Sequence, residues 1–495
     1  MQERVQLEKT FKPHWVWAIA LGSAIGWGCF ILPTEWMAKA GPLGVIIGLL
    51  LGSIVMMIIA VSFGILIKKY PVSGGGFTYA YLGFGRNHAF FCGWFLTLGY
   101  ICIVALNSSA LALLGKFLVP SITNIVFLYE IGGWDVYLGE VLIASLAIVF
   151  FAWFNIKGSS ISGQLQFIFC VVLVLGVLLL TASMVLNPAS NLDNMTPLFK
   201  PGIAPISGIL AILAMAPWAY VGFDNIPQAA EEFNFPPKKA FSLIISSLII
   251  AMALYSFMVV ATAVGTPWQR LAEGQPIWGT GDVVSQNLGI IGVSLLAISV
   301  LMGIFTGLNG FYVSASRLMF SMGRAHILPV SFSKLHPKHG TPYIGIIFTC
   351  CFCLVAPWFG RQVLLWIVDM SSIGVTIAYL YTCCTAYKQF RWNGKDQKET
   401  QQDIAVSPLK KVICLIGSLS SLSFLCLLLL PMSPAALGTP SLIALLVWSA
   451  LGIAFYLYKR NDYNKLSKQT LDYYILGTEM KEEREEESSV LLKVK

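Results

Sequence analysis

One ionisable residue of this sequence stands out because it lies inside an apolar stretch of membrane-spanning length. The stretch reads Ala216-Pro217-Trp218-Ala219-Tyr220-Val221-Gly222-Phe223-Asp224-Asn225-Ile226-Pro227-Gln228. A carboxylate at the centre of a membrane helix costs about 2.5 to 3.5 kcal/mol, so such a residue indicates function by default. Asp224 could hold a cationic substrate side chain, carry a coupling proton, or brace a broken helix by accepting hydrogen bonds from free N–H groups.

The composition of the same stretch predicts that its helix is interrupted. Pro217 and Pro227 bracket Gly222 and the carboxylate. Proline removes an intrahelical hydrogen bond and clashes with the preceding turn. Pro227 in particular should leave the carbonyl groups around Phe223 without helical partners.

A second segment with the same property lies near the N-terminus. It reads Leu21-Gly22-Ser23-Ala24-Ile25-Gly26-Trp27-Gly28-Cys29-Phe30-Ile31-Leu32-Pro33, with three glycines within seven residues. Each glycine weakens a helix by about 1 kcal/mol relative to alanine. Unwound backbone at membrane depth is tolerated only where it is buried in protein or lines a wet cavity. The pair of segments therefore predicts a binding site, with close packing of helices through small residues as the alternative interpretation.

The chemistry of two broken helices suits a zwitterion. The N-terminus of a half-helix offers free N–H groups and a positive dipole end to a carboxylate, and unwound carbonyl groups accept hydrogen bonds from an ammonium. No charged side chain is required for this. Asn107 and Asn309 are further polar groups in apolar spans, and each could touch a substrate or bond to a neighbouring helix.

The composition of the whole chain excludes a water-soluble domain. Of its 495 residues, 57% are hydrophobic and 11% charged, and the mean hydropathy is +0.75. Apolar runs of about 18 to 25 residues, enough to cross a hydrocarbon core of about 30 Å, recur along the chain and must be helices in lipid. We predict an all-α polytopic membrane protein with about twelve spans, at 14–39, 43–67, 89–118, 136–155, 162–186, 206–232, 240–265, 286–316, 343–359, 363–387, 410–430 and 439–458.

The basic residues are distributed unevenly between the two sides of these spans. With the N-terminus inside, the outer side receives only Lys39, Lys116, Lys200, Arg270 and Arg361 of the 32 Lys and Arg residues. The positive-inside rule then places both termini in the cytoplasm. We expect a multi-pass protein of a cell membrane, either a plasma membrane or a bacterial inner membrane. The net charge of +8 is accordingly explained by the basic residues on the cytoplasmic side of the membrane, and no nucleic-acid partner is expected.

The two interrupted segments are five spans apart, the arrangement expected of an inverted repeat of five plus five helices in which the first helix of each half is discontinuous. The repeats would cover 14–186 and 206–387. Residues 1–13 would be a cytoplasmic N-terminus, 410–458 two additional spans, and 459–495 a cytoplasmic tail that includes an acidic run.

The remaining residue classes give no sign of chemistry other than binding. All eleven cysteines fall within predicted spans and 119–135 contains none, so we expect free thiols and no disulfide-linked heavy chain. The sequence has no HExxH motif, no Gly-x-Ser-x-Gly elbow and no paired intramembrane aspartates of protease spacing. We expect no enzyme, no metal site and no cofactor.

Four motifs resemble the amino acid, polyamine and organocation (APC) superfamily of transporters. The family's first-helix pattern G-S/A-x-I-G-x-G-I-F-x-x-P is matched from Gly22 to Pro33, with Cys29 at the position that is usually aliphatic. The loop from Tyr70 to Tyr79 is similar to P-x-S-G-G-x-Y-x-Y. The third and fourth motifs are Gly222-Phe223-Asp224 followed by Glu231-Glu232, and the run from Ser316 to Arg324. The resemblance covers residues 14–458 and implies the LeuT-like five-plus-five fold, alternating access and an amino-acid-like ligand.

The resemblance also implies roles for particular residues. The substrate carboxylate would meet N–H groups near Trp27 and Gly28, and its amine would meet carbonyl groups near Ala24, Trp218 and Val221. Trp218 or Tyr220 would act as a gate, and Phe311 would line the far wall. The full expected substrate-binding set is Ser23, Ala24, Ile25, Trp27, Gly28, Trp218, Tyr220, Val221, Asp224, Asn225 and Phe311. The residues themselves add the gating or coupling candidates Asn107, Asp224, Glu231 and Asn309. Glu231 and Glu232 are close in sequence to Lys238 and Lys239, which is equally compatible with a gate salt bridge and with ordinary solvated charges.

The sequence departs from the family in one respect that bears on energy coupling. Some relatives carry a lysine midway along the fifth helix, and the stretch from Gly163 to Leu186 has none. Exchange, sodium coupling or a proton route through Asp224 remain, so the coupling ion would be H⁺ or Na⁺. Amino acid transport is the leading expectation, transport of a polyamine or another organic amine is second, and a non-transporting amino acid sensor is third.

Overall fold

The computed structural model describes residues 4–131, 134–274, 278–360, 362–392, 408–431, 433 and 436–478. These residues are almost entirely α-helical, because in a bilayer every backbone N–H and C=O group needs a partner within the protein. Ten of the described helices are long and apolar enough to cross a membrane, as judged by length and composition. The chain is a multi-pass membrane protein.

The described helices follow one another with short connections. They are α1 (Pro13–Ile25), α2 (Gly28–Ile31), α3 (Pro33–Ala40), α4 (Pro42–Lys69), α5 (Gly76–Phe84), α6 (Arg86–Leu118), α7 (Pro120–Thr123), α8 (Leu138–Ile156), α9 (Ser159–Val185), α10 (Pro205–Leu213), α11 (Ala216–Ala219), α12 (Asn225–Gln228), α13 (Ala240–Gly265), α14 (Trp268–Gly274), α15 (Gly279–Arg324), α16 (Tyr343–Cys353), α17 (Gln362–Trp392), α18 (Pro408–Leu429), α19 (Thr439–Asn464) and α20 (Lys468–Leu476). Two strands, β1 (Phe127–Ile131) and β2 (Trp134–Tyr137), pair antiparallel.

Three of the twelve predicted spans are not single long helices. The segment predicted at 14–39 is divided into α1, α2 and α3. The segment predicted at 206–232 is divided into α10, α11 and α12, because Pro217 and Pro227 prevent a continuous hydrogen-bond ladder. The segment predicted at 343–359 consists of α16 and the short 3-10 turn Ala356–Phe359.

Several predicted boundaries and connections differ from the structure. The β1–β2 hairpin occupies part of the region expected as a loop, and its second strand takes residues 136 and 137, which the prediction gave to a helix. The aromatic-rich runs on either side of Gly132-Gly133 are the signal that could have indicated a hairpin. The motif loop at 70–79 becomes α5 from Gly76 onward, and α15 extends beyond the predicted 286–316, with a kink at Gly289.

The predicted cytoplasmic tail also contains ordered structure. Helix α19 continues to Asn464, and α20 follows with its N-terminus capped by the Ser467 hydroxyl, which accepts the Thr470 N–H at 3.1 Å. The acidic run at 479–487 lies outside the described residues.

The core that positions the site is formed by α1, α6, α9, α13 and α15. Helix α15 packs on α9, α6 and α1, and α13 packs on α4, α9 and α1. Small residues allow the closest approaches, since a Cβ added at Gly303 would lie 2.3 Å from the Gly26 carbonyl oxygen. The broken first segment is therefore enclosed by helices on several sides.

Candidate functional site

The first break separates α1 from α2. Helix α1 ends at Ile25, the backbone turns at Gly26 with φ of +50°, and α2 begins at Gly28. Among the described residues, the N–H groups of Trp27, Gly28 and Cys29 have no hydrogen-bond acceptor. This is the expected state of the first residues of a helix, and it leaves three donors at the break.

The second break separates α11 from α12 and lies directly against the first. Gly222 has φ of +133°, a backbone conformation that favours glycine. A Cβ added there would lie 2.6 Å from the backbone nitrogen of Ala24. Glycine at position 222 therefore allows the two unwound backbones to touch.

A tyrosine from α13 joins the carbonyl groups of both breaks. The Tyr255 hydroxyl lies 2.8 Å from the carbonyl oxygen of Ala24, 3.2 Å from that of Ile25 and 3.0 Å from that of Ala219. A single O–H group donates fully to one acceptor at a time, so these carbonyl groups retain capacity to accept another hydrogen bond.

A cavity of about 20 Å³, with room for about one water molecule, lies between the two breaks. Its wall includes seven residues of the expected substrate-binding set, namely Ser23, Ala24, Ile25, Trp27, Gly28, Trp218 and Val221. The remaining wall residues are Gly26, Ile103, Leu106, Asn107 and Tyr255. Among the described residues no charged side chain lines this cavity.

Four residues of the expected binding set are buried outside that wall, namely Tyr220, Asp224, Asn225 and Phe311. The Tyr220 hydroxyl donates to the Leu49 carbonyl at 2.8 Å, and the Phe311 ring packs on the Tyr100 ring with centroids 5.8 Å apart. The hydroxyl of Ser23 and both polar atoms of the Asn225 side chain are buried without a hydrogen-bond partner.

Asp224 holds the second break in shape. Its Oδ1 accepts the Gly222 N–H at 2.9 Å and the Tyr379 hydroxyl at 3.4 Å, and its Oδ2 accepts the Tyr100 hydroxyl at 2.7 Å. The side chain is 2% exposed, and its partners are neutral donors. Of the three roles that the sequence left open, this geometry matches the brace.

The two asparagines differ in their surroundings. Asn309 accepts hydrogen bonds from Asn155 and Ser162 at 3.0 and 2.8 Å and donates to Gln166 at 2.8 Å, which ties α15 to α8 and α9. Asn107 donates to the Ile103 carbonyl at 2.8 Å, and its side-chain oxygen has no partner. Asn309 is therefore engaged in packing, whereas Asn107 has a free acceptor at the cavity.

Along α15 from Gly310, which packs on Ser23, Arg317 lies about 10 Å and Arg324 about 21 Å toward the end of the helix, and both take part in a layer of buried ion pairs. This charged layer consists of Arg4, Glu231, Glu232, Arg317 and Arg324. Arg324 donates to both carboxylate oxygens of Glu231, at 2.8 and 3.0 Å, and Arg4 donates to the same carboxylate at 3.3 Å. The Glu231 carboxylate therefore lies between two guanidinium groups, those of Arg324 and Arg4.

The second pair in the charged layer joins Glu232 to Arg317. The guanidinium donates at 2.7 and 3.2 Å to the two carboxylate oxygens and at 2.8 Å to the Ser159 hydroxyl. Both side chains are at most 2% exposed. Lys238 and Lys239, the nearest basic residues in the sequence, are exposed, and the partners of the two carboxylates are arginines from α15 and the N-terminus.

On the opposite side of the cavity two indole rings meet. The ring centroids of Trp27 and Trp218 are 6.1 Å apart at an interplanar angle of 63°, and we call them the aromatic pair. A Cβ added at Gly28 would lie 3.1 Å from the Trp218 ring. The cavity is thus closed by apolar rings on one side and lies above a charged layer on the other.

A sequence model of the amino acid permease family matches residues 15–453. This chain belongs to that family. The resemblance to the APC superfamily drawn from the motifs is confirmed, since the match extends over nearly the whole permease.

Named relatives cover most of this permease. The branched-chain amino acid permease of Bacillus subtilis (strain 168) is 26% identical over 460 residues, which are 91% of this chain and 92% of that protein. The histidine permease of Lactococcus lactis subsp. cremoris (strain MG1363) is 23% identical over 77% of this chain and 80% of its own length. The serine/threonine exchanger of Bacillus subtilis (strain 168) is 24% identical over 81% and 87%. The permease is therefore an amino acid transporter, and its relatives are named for different substrates.

Sequence reasoning missed several residues of the permease site. Tyr255 appears in the sequence as one tyrosine of an apolar helix, and only the general need of a buried hydroxyl for a partner marks it. Ile103 and Leu106 carry no signal beyond apolarity. Arg317 and Arg324 were counted as topological charges, although the structure buries both.

Proposed function

We propose that this permease is a secondary transporter that moves a neutral amino acid by alternating access. The observation that carries the proposal is the cavity between the two helix breaks, with the aromatic pair on one side and the charged layer on the other. A site that opens to each side in turn needs such a closure at both ends.

The substrate backbone would be held by the two breaks. Its carboxylate would accept hydrogen bonds from the N–H groups of Trp27 and Gly28, which have no other acceptor among the described residues. Its ammonium would meet the carbonyl groups of Ala24 and Val221, and Tyr255 would orient the first of these. Charge-assisted hydrogen bonds of this kind are about twice as strong as neutral ones.

The wall residues support a neutral, apolar substrate side chain. Ile25, Ile103, Leu106 and Val221 supply aliphatic surface next to the two indole rings. Asp224, which could have held a second positive charge, lies outside the wall and is engaged by three donors. The chemistry of this wall favours a branched-chain or similar amino acid over a polyamine, as the name of the Bacillus relative suggests, and the cavity of about 20 Å³ would have to widen to admit it.

We further propose that both termini and the charged layer face the cytoplasm of a cell membrane, which the distribution of basic residues supports. Twelve crossings would then form two inverted five-helix repeats, each beginning with a discontinuous helix, plus two additional spans. Coupling would use exchange, H⁺ or Na⁺. The unpartnered Ser23 hydroxyl and Asn225 amide oxygen are oxygen ligands of the kind that Na⁺ prefers.

The test is uptake into proteoliposomes of radiolabelled leucine, alanine, serine, arginine, lysine, glutamate, putrescine and ethanolamine, with pH, sodium and internal substrate varied separately. We expect saturable uptake of leucine or alanine. Gly28→Val should abolish it, because the added carbons would occupy space in front of the Trp218 ring. Gly274→Val is the matched control, since a Cβ at Gly274 would have no heavy atom of the described residues within 4 Å.

The other outcomes each contradict part of the proposal. Uptake of putrescine in preference to leucine would identify an organic amine transporter. Specific ligand binding without flux would identify a sensor.

A further inference from the structure

A second, larger cavity opens at the face of the protein that carries the N-terminus. Its volume is about 610 Å³, within the range of small-ligand sites, about 300 to 1,000 Å³. Its walls come from the ends of α4 and α17, from α5 with the start of α6, and from α20. None of its lining residues belongs to the charged layer or to the cavity between the breaks.

The charge of this pocket is positive. Lys69, Arg86 and Lys468 line it together with one carboxylate, that of Asp472. Asp472 already accepts a hydrogen bond from the Tyr81 hydroxyl at 2.7 Å, and Lys69 donates to the neutral amide of Gln389 at 3.3 Å. The lining therefore favours an anion.

The level of the pocket relative to the membrane indicates where the anion comes from. Lys69 is the last residue of α4 and Arg86 the first of α6, so both lie where spanning helices leave the hydrocarbon. Tyr70 and Phe84 add aromatic surface to the wall, as is typical of residues at the headgroup level. Basic pockets between the cytoplasmic ends of membrane helices are suited to anionic headgroups.

We propose that this pocket binds the phosphate-bearing headgroup of an anionic phospholipid. The phosphate accepts hydrogen bonds from Lys69, Arg86 and Lys468, and the acyl chains remain in the adjacent leaflet. A soluble phosphate ester has the same chemistry, but it lacks the acyl chains that a site at this level can also engage.

The headgroup site is connected to the charged layer through α20. One part of this helix lines the pocket with Lys468 and Asp472. Another part contacts Arg4, whose backbone N–H donates to the Tyr473 hydroxyl at 3.1 Å and whose guanidinium donates to the Tyr474 carbonyl at 3.3 Å. Arg4 in turn reaches Glu231. A bound headgroup therefore holds α20 and Arg4 against the charged layer, and the effect of this on transport rests on the proposed function.

The binding test uses the full chain purified in neutral detergent and needs no transport. Short-chain phosphatidylglycerol, short-chain phosphatidylcholine, glycerol phosphate and inorganic phosphate are titrated separately, with native mass spectrometry as the readout. We expect phosphatidylglycerol to bind and each of Lys69→Gln and Lys468→Gln to weaken it about fivefold. Lys465→Gln is the matched control, because Lys465 is an exposed lysine of the same region that lies outside the lining.

A second readout is amide hydrogen exchange of α20. Phosphatidylglycerol should slow exchange across Lys468–Leu476, and Lys69→Gln, which lies outside that helix, should reduce this protection at lipid concentrations near the Kd. Equal binding of phosphatidylcholine, or no effect of either lysine substitution, would overturn the proposal. Tight binding of glycerol phosphate or phosphate alone would assign the site to a soluble anion instead. If phosphatidylglycerol binds only after residues 479–495 are deleted, the acidic tail is the occupant of the pocket in the full chain, and the proposal is overturned.

Discussion

The two sides of the substrate cavity are closed by different kinds of interaction. The aromatic pair makes one edge-on contact between indole rings, whereas the charged layer joins two carboxylates to three arginines from distant parts of the chain. An aromatic contact contributes about 0.5 to 1.5 kcal/mol beyond its buried area. Removing one partner of a buried ion pair costs about 3 to 5 kcal/mol, because the other charge is left without compensation.

This difference suggests a difference in what each closure does. The aromatic rings can separate by a change of rotamer. Their separation leaves no buried charge without a partner. Opening the charged layer exposes buried charged groups, each of which must replace its ionic partner with water. We infer that the aromatic pair selects and retains the substrate, whereas the charged layer sets the conformational state of the permease.

The largest expected effect comes from breaking the charged layer at its most buried pair. Glu232→Ala leaves the Arg317 guanidinium 1% exposed and without its carboxylate. We expect the stability of the folded permease to fall by about 3 to 5 kcal/mol, with loss of uptake. The measurement is the thermal unfolding temperature in detergent by fluorescence-detected size exclusion.

Two further variants provide the controls for this prediction. Asp462→Ala breaks the exposed pair with Lys459, and a change within about 0.5 kcal/mol is expected. The double variant Glu232→Gln/Arg317→Gln removes both charges and should recover part of the lost stability. A Glu232→Ala protein as stable as the wild type would show that the pair is not the determinant that we infer.

An intermediate effect is expected at Tyr255, which lies between the two closures. Tyr255→Phe removes the donor shared by the Ala24, Ile25 and Ala219 carbonyl groups, at a cost of about 1 to 3 kcal/mol for buried groups left unpaired. We expect the KM for substrate to rise about tenfold, since the ammonium-binding carbonyl groups lose their orientation.

Tyr312→Phe is the matched control for this substitution. The Tyr312 hydroxyl is also buried and donates to one carbonyl, that of Ile148, at 3.0 Å. Tyr312→Phe should lower the stability of the folded permease by a similar amount without raising the KM for substrate. If the two variants raise KM equally, Tyr255 has only a structural role.

A smaller effect is expected at the aromatic pair. Trp218→Leu removes the ring contact with Trp27 and enlarges the cavity on that side. We expect KM to rise about fivefold, corresponding to about 1 kcal/mol, with bulkier substrates gaining relative to alanine. Competition uptake with a series of neutral amino acids measures this, and an unchanged selectivity order would contradict the role assigned to the ring.

The smallest effect is expected when Asp224 loses its charge but keeps its shape. In Asp224→Asn, the amide oxygen can still accept the Gly222 N–H and the amide nitrogen can donate to the Tyr100 hydroxyl. Uptake should remain within about threefold at each pH, because a charge-assisted bond is replaced by a neutral one. Loss of pH dependence with normal folding would instead identify Asp224 as the proton carrier.

The features that the sequence predicted well are those with a local cause. Several glycines close together, or a glycine between two prolines, weaken a helix locally, so the ends of α1 and α11 near Gly26 and Gly222 could be expected from composition. Isolated glycines inside α4 do not interrupt that helix. The apolar length of the spans follows from the bilayer in the same way.

The features that the sequence did not predict depend on which helices are neighbours. Glu232 is near Lys238 in the chain but pairs with Arg317, because α15 lies against the end of the second broken segment. Tyr255 reaches the breaks only because α13 packs on α1. Such contacts are set by packing between distant segments, which no local pattern records.

The N-terminal residues have a consequence for the order in which the permease assembles during synthesis. The carboxylate partner of Arg4, Glu231, is made 227 positions later, and its partner Tyr473 is made 469 positions later. Chains emerge at about 5 to 20 residues per second, so Arg4 waits roughly 25 to 95 seconds for Tyr473. Arg4 therefore reaches its final contacts only when α20, the last described helix, has left the ribosome.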